Sequence, residues 1–163
     1  MAMHDDVLRV AAHWSSPLLV MAPTRSERAA CARFVHENGS RRSGPFVAIR
    51  CEGDRIVWIE EQSSPLSPGL PAPDSVADWL GRAPGGTLFI DDVASLSQTG
   101  QAQLHWSLRE GVLEDAAGDR IRVIAGSSGP LETDVAAGRF RAALFYRLNV
   151  IRVDLTAGTD AAP

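Results

Sequence analysis

Asp91 and Asp92 stand side by side at the end of Gly85-Gly86-Thr87-Leu88-Phe89-Ile90, where a glycine pair permits a tight turn and a short, mostly apolar run rich in β-formers follows. Such a run reads as a buried parallel strand that delivers its acids at the C-terminal edge of a sheet, the place where open α/β sheets bind ligands. Two carboxylates there can divide phosphate chemistry between them, the first holding Mg²⁺ and the second orienting a water for attack. The rest of that chemistry needs a cradle of backbone N–H groups and a cation for the phosphates. The chain contains no lysine, and its 16 basic residues are all arginine.

The elements that must position these groups follow from spacing. Asp5 to His13 has helical spacing at Val7, Val10 and Ala11, and Leu18 to Met21 is an apolar run that predicts a first strand. Thr24 and Glu27 sit at capping-box spacing ahead of Ala29, Ala30, Ala32, Phe34 and Val35, which predicts a helix from about Glu27 to Glu37. Strand, short connection and helix together have the layout of a phosphate-binding loop. Further strands are predicted at Phe46 to Ile49, Ile56 to Ile59, Ile121 to Ala125 and Val150 to Leu155, and helices at Ser75 to Leu80, Leu96 to Glu110, Leu131 to Ala137 and Arg141 to Leu148. Gln62 to Pro73, with its prolines and serines, reads as an irregular surface loop, and Val112 to Arg120 as a hairpin. Strands alternating with helices imply a mainly parallel sheet covered on both faces.

Length and composition set limits. With 163 residues, 45% of them hydrophobic and 22% charged, the chain suits one α/β domain over 1–155 with a small, polar, flexible tail over 156–163. No apolar run approaches a membrane span and no secretion signal opens the chain, so the expected location is cytoplasmic, with no membrane partner. A net charge of −4 opposes a general nucleic-acid surface. Cys31 and Cys51 lack metal-ligand company and read as reduced packing residues. His36, at a predicted helix end, suits a capping or dipole role, and Arg41-Arg42 reads as a solvated turn.

From about Pro17 to Leu155 the sequence resembles the central AAA+ domain of bacterial enhancer-binding proteins, the sigma-54-dependent transcription activators. The resemblance rests on Gly85 through Asp92, on Gln101-Ala102-Gln103-Leu104 with Leu108-Arg109-Glu110-Gly111, and on Gly138-Arg139-Phe140-Arg141 with Leu144-Phe145-Tyr146-Arg147-Leu148-Asn149-Val150. It implies the three-layer α/β sandwich of P-loop NTPases. It also marks departures. Where the family carries its Walker A loop, this chain has Ala22-Pro23-Thr24-Arg25-Ser26-Glu27-Arg28-Ala29, without glycine and with Arg28 in the place of the lysine. An arginine fork is bulkier than an ammonium and not interchangeable with it. Asp92 replaces the usual glutamate, Ser128 replaces the sensor asparagine, no GAFTGA-like loop lies between Cys51 and Gly85, and the C-terminal helical lid is missing. Arg141 and Arg147 match the family's arginine fingers.

These departures lead to the expectation of a non-hydrolysing regulatory module that acts by protein contact in transcription or signalling, with no cofactor, no metal and no direct nucleic-acid contact. The expected partner is an intact sigma-54 activator or a second copy of the chain. The nucleotide site is expected to survive only in vestige, at Arg28, Asp91, Asp92 and Ser128. In that expectation Asp91 and Asp92 are inherited strand-edge acids, solvated or capping. The alternative is a weak Mg-dependent ATPase or nucleotide-binding sensor, with Arg28 as a makeshift phosphate contact and Asp91 as the Mg²⁺ ligand.

Overall fold

A computed structural model describes residues 2–53, 55–61, 75–109 and 120–156. The order of elements is α1 (Ala2–Ala12), β1 (Leu18–Met21), α2 (Arg25–Glu37), β2 (Phe46–Glu52), β3 (Arg55–Glu61), α3 (Val76–Gly81), β4 (Thr87–Asp91), α4 (Gln98–Arg109), β5 (Arg122–Ser127), α5 (Leu131–Ala136), α6 (Ala142–Leu148) and β6 (Ile151–Asp154), with a 3₁₀ turn at Val93–Ser95. The strands form one sheet in the order β3-β2-β4-β5-β1-β6. All neighbours pair in parallel except β2 and β3, which form an antiparallel hairpin closed by Gly53 at φ 66°. The sheet is therefore mainly parallel, as the alternation of elements implies.

Its strands alternate strictly between two cores, because successive side chains of a strand point to opposite faces. Leu19, Val47, Ile49, Leu88, Ile90, Val123 and Ala125 pack with Trp79 of α3, Leu104 of α4, Leu131 of α5 and Leu144 and Leu148 of α6. Leu18, Val20, Phe46, Ala48, Phe89, Ile124 and Val153 pack on the other face with Leu8, Ala11 and Ala12 of α1 and Cys31, Ala32 and Val35 of α2. Helices thus cover both faces, in three layers. No helical lid lies among the described residues. Both cysteines are buried and free, and burial pushes each thiol up to about 12.

Local signals act where expected. Thr24 caps α2, with its hydroxyl accepting from the Glu27 N–H and the Glu27 carboxylate accepting from the Thr24 N–H in return. Gly85 takes φ 64° at the turn into β4. Two helix ends depart from expectation: α1 begins at Ala2 rather than Asp5, and α4 begins at Gln98, because the 3₁₀ turn intervenes after Asp92. The hairpin expected at Val112 to Arg120 and the loop at Gln62 to Pro73 fall largely or wholly outside the described residues, as does most of the expected tail. No helix among the described residues is long and apolar enough to cross a membrane.

Candidate functional site

Asp91 ends β4 on the face covered by α2, and Arg28 sits in the first turn of that helix, so the fold presses the two against each other across 63 residues of sequence. Arg28 is only 2% exposed. Its Nε donates to Asp91 Oδ1 at 2.6 Å and its Nη2 to Asp91 Oδ2 at 3.3 Å, a side-on fork on one carboxylate. Nη2 also donates to Asp92 Oδ1 at 3.2 Å, and Nη1 donates to the Ala22 carbonyl at 2.8 Å. Each of the three guanidinium nitrogens therefore has a partner inside the protein.

Asp91 is not the solvated or capping acid expected for this edge. It is 1% exposed, and its charge is compensated by Arg28. A buried carboxylate needs such a partner, because desolvation otherwise costs several kcal/mol. Asp92 remains partly exposed and takes Arg25 as a second cation, Nε to Oδ2 at 3.4 Å. Its backbone is left-handed, φ 52° and ψ 46°, which turns the chain from β4 into the 3₁₀ turn. Aspartate tolerates that region better than most residues.

Two neighbours complete the site, and the first, Gly126, was not among the residues singled out from sequence. Gly126 of β5 faces Asp91, and a Cβ there would fall 2.6 Å from Asp91 Oδ1, so the carboxylate has its place only because that side chain is missing. The connection between β1 and α2 is only Ala22, Pro23 and Thr24. Ser128, the expected counterpart of a sensor, lies exposed just past the end of β5 and has no hydrogen bond to this cluster.

Arg141 and Arg147 flank α6. Arg141 is its N-cap residue and is held through its backbone N–H by Gln101 Oε1 at 2.9 Å. Gln101, fully buried, also donates to the carbonyls of Leu96 and Arg139, so one side chain ties the start of α4 to the start of α6. Both arginine side chains are exposed, and Arg147 lines a cleft of about 260 Å³ with Ser15, Ser16 and Arg120. The structure does not bring these two residues to the Arg28 cluster of the same chain.

His36 lies in the last turn of α2, as expected, but Asn38 is the cap; the buried His36 ring is 2.9 Å from the Thr87 hydroxyl and ties the end of α2 to the start of β4. Arg41 and Arg42 lie in a turn as expected, Arg42 exposed and Arg41 half-buried, and the Arg41 Nε also donates to the Arg120 carbonyl at 2.5 Å. Among the described residues no group of three or more His, Cys, Asp or Glu side chains could hold a metal ion.

A mainly parallel sheet between helical layers, with an acid pair ending the strand next to β5 and a strand–turn–helix beside it, is the architecture of a P-loop NTPase domain. Solved structures share it. The chain superposes on NtrX from Brucella abortus in complex with ATP with a TM-score of 0.71 at 24% identity, covering 94% of this chain and 36% of that one. On the P-loop NTPase domain of a sigma-54 activator from E. coli it gives 0.63 at 17% identity, covering 94% and 92%. The profile of the Sigma-54 interaction domain matches residues 2–157, and the chain belongs to that family. Among curated relatives it is 34% identical to a Nif-specific regulatory protein of Enterobacter agglomerans over 93% of this chain and 31% of that protein, and 37% identical to the transcriptional regulatory protein XylR of Pseudomonas putida over 92% and 28%. The chain thus spans about a third of the length of the curated relatives it matches.

Proposed function

We propose that this chain is a regulatory module of the Sigma-54 interaction family that does not hydrolyse nucleotide and works by protein contact in transcription or signalling. The observation that carries the reading is Arg28, buried with its fork on Asp91. The residues at this place do not fit a magnesium–nucleotide complex. The arginine at the phosphate-lysine position is turned inward onto the acid that would hold the metal, and its remaining donors are spent on Asp92 and Ala22. The three-residue connection offers no glycine to wrap phosphates, and Pro23 has no N–H to donate.

The side of the reading that concerns partners is supported by Arg141 and Arg147, which are exposed and make no side-chain hydrogen bond or ion pair among the described residues. The partner is an intact sigma-54 activator or a second copy of the chain, met in the cytoplasm and without direct nucleic-acid contact. Titration with ATP and Mg²⁺, followed by tryptophan fluorescence, tests the first half: no saturable change up to millimolar nucleotide is expected. Saturation with phosphate release would establish a weak ATPase instead, and saturation without release a nucleotide sensor. For the second half, the ATPase rate of an intact activator is measured with this chain and with its Arg147→Ala variant. A change that the variant abolishes is expected, and no effect from either protein would end the idea.

A further inference from the structure

β6 is the last strand of the sheet, and its outer side meets no strand among the described residues. Such an edge is a template for pairing with another chain unless something blunts it. The Ile151 and Leu155 N–H groups donate inward, to the carbonyls of Pro17 and Met21 at 3.3 and 2.7 Å. Strand alternation therefore turns the backbone of Val153 inward as well, and the N–H and C=O groups of Arg152 and Asp154 outward.

The side chains alternate in the same way. Ile151, Val153 and Leu155 pack on the α1 face of the sheet. Arg152 and Asp154 lie on the other face, where Arg152 pairs with Glu132 of α5 and Asp154 Oδ1 accepts from the Thr156 N–H at 2.9 Å. Beside the edge, on the α1 face, runs a groove of about 330 Å³ lined by Asp6, Val7, Val10, Ala11, Trp14 and Ile151. Val7, Val10 and Trp14 are all exposed. An open strand edge and an apolar face thus adjoin, which marks an interaction surface.

The occupant follows from the strand's own sequence. In an antiparallel pair, outward-facing residues must stand opposite outward-facing residues, so β6 can meet a two-fold copy of itself about Arg152, Val153 or Asp154. A centre on Arg152 sets two arginines against each other, and a centre on Asp154 two carboxylates. Like charges directly opposite are destabilising. A centre on Val153 instead sets Arg152 opposite Asp154 on both sides of the axis, and each such pair exchanges both of its backbone hydrogen bonds. That axis is perpendicular to the sheet and keeps both α1 helices on one face, so their exposed Val7, Val10 and Trp14 flank the joint.

We propose that a second copy of this chain docks edge to edge on β6, antiparallel about Val153, with the two α1 grooves closing over the joint. The sheet then runs on from one copy into the next. This contact uses neither the Arg28 cluster nor Arg141 and Arg147, so it goes beyond the function proposed above and stands or falls separately from it.

Sedimentation velocity of the whole chain over a series of micromolar concentrations tests it. A reversible monomer–dimer equilibrium is expected, and Arg147→Ala should leave it unchanged. Trp14→Ser, a change at an exposed side chain, should weaken it about tenfold, as loss of an interface aromatic does. Arg152→Asp should also weaken it, and Arg152→Asp/Asp154→Arg should restore it, because the register sets these positions opposite each other. A wild type that stays monomeric throughout, a dimer that Arg147→Ala abolishes, a dimer indifferent to Trp14→Ser and Arg152→Asp, or a double variant as weak as the single one would overturn the proposal. If Arg152→Asp does not fold, Arg152→Cys and Asp154→Cys copies are mixed and oxidised, the native thiols being buried. More disulfide-linked dimer in the mixture than in either variant alone supports the pairing, and equal or absent cross-linking refutes it.

Discussion

The two ends of the sheet face beneath α1 and α2 are built alike and finished differently. β4 contributes Thr87, Phe89 and Asp91 to this face, and β5 contributes Arg122, Ile124 and Gly126. Phe89 and Ile124 form the apolar middle, while each end carries a buried arginine anchored on a backbone carbonyl. At one end the guanidinium fork is filled by a carboxylate of the same chain; at the other it is open. The difference teaches what a buried charge demands. Where the chain supplies the counter-charge, every guanidinium nitrogen has a partner; where it does not, two nitrogens stay buried without a hydrogen bond.

The largest test of that contrast is Arg28→Met. It abandons a buried Asp91 and should cost about 3–5 kcal/mol in urea unfolding. The double variant Arg28→Met/Asp91→Leu should recover most of the loss, because removing both charges is often nearly neutral. Arg122→Met should stay within about 1 kcal/mol of wild type, since it gives up one hydrogen bond and leaves no carboxylate behind. Equal losses at the two arginines would erase the contrast.

Gly126→Ala comes next. Its methyl would press on Asp91 Oδ1 and should cost about 1–3 kcal/mol by overpacking, measured in the same unfolding series. Relief of that cost by Asp91→Ala would place the strain at the carboxylate. Thr24→Ala removes the cap that fixes Arg28 at the start of α2 and should cost about 1 kcal/mol. A loss several-fold larger would mean that the cap and the Arg28–Asp91 pair act together.

At the opposite end the sharpest probe is pH. Burial, as the leading cause, holds His36 below its usual 6.5. The unfolded chain therefore binds a proton that the folded one resists, so stability is complete above about pH 6.5 and falls as the pH drops below it. Urea midpoints from pH 8 to 5 should show that decline, and His36→Gln should flatten it. An unchanged slope in the variant would assign the decline elsewhere.

Much of this was legible in the sequence. The strand alternation and the Thr24/Glu27 box are local patterns, and local patterns fix elements. The acid pair at Asp91 and Asp92 was visible for the same reason, as was the position of Arg28. What stayed hidden was their pairing, because whether an arginine in the first turn of a helix points outward or back onto a strand 63 residues later depends on packing rather than on spacing. Gly126 was silent because a missing side chain signals nothing until its neighbour is known. Arg122 falls inside the expected Ile121 to Ala125 strand with no signal of its own, and only its buried, unpartnered Nε and Nη2, a property of the folded molecule, set it apart.

Arg25, Arg28, Asp91 and Asp92 also form a closed electrical set, two positive and two negative charges within hydrogen-bonding reach of one another. Such a set cancels at a distance, and its field decays far faster than that of an uncompensated lysine. These four residues should therefore exert little long-range pull on a triphosphate diffusing past this end of the sheet. Any encounter with the cluster is then expected to change little with salt.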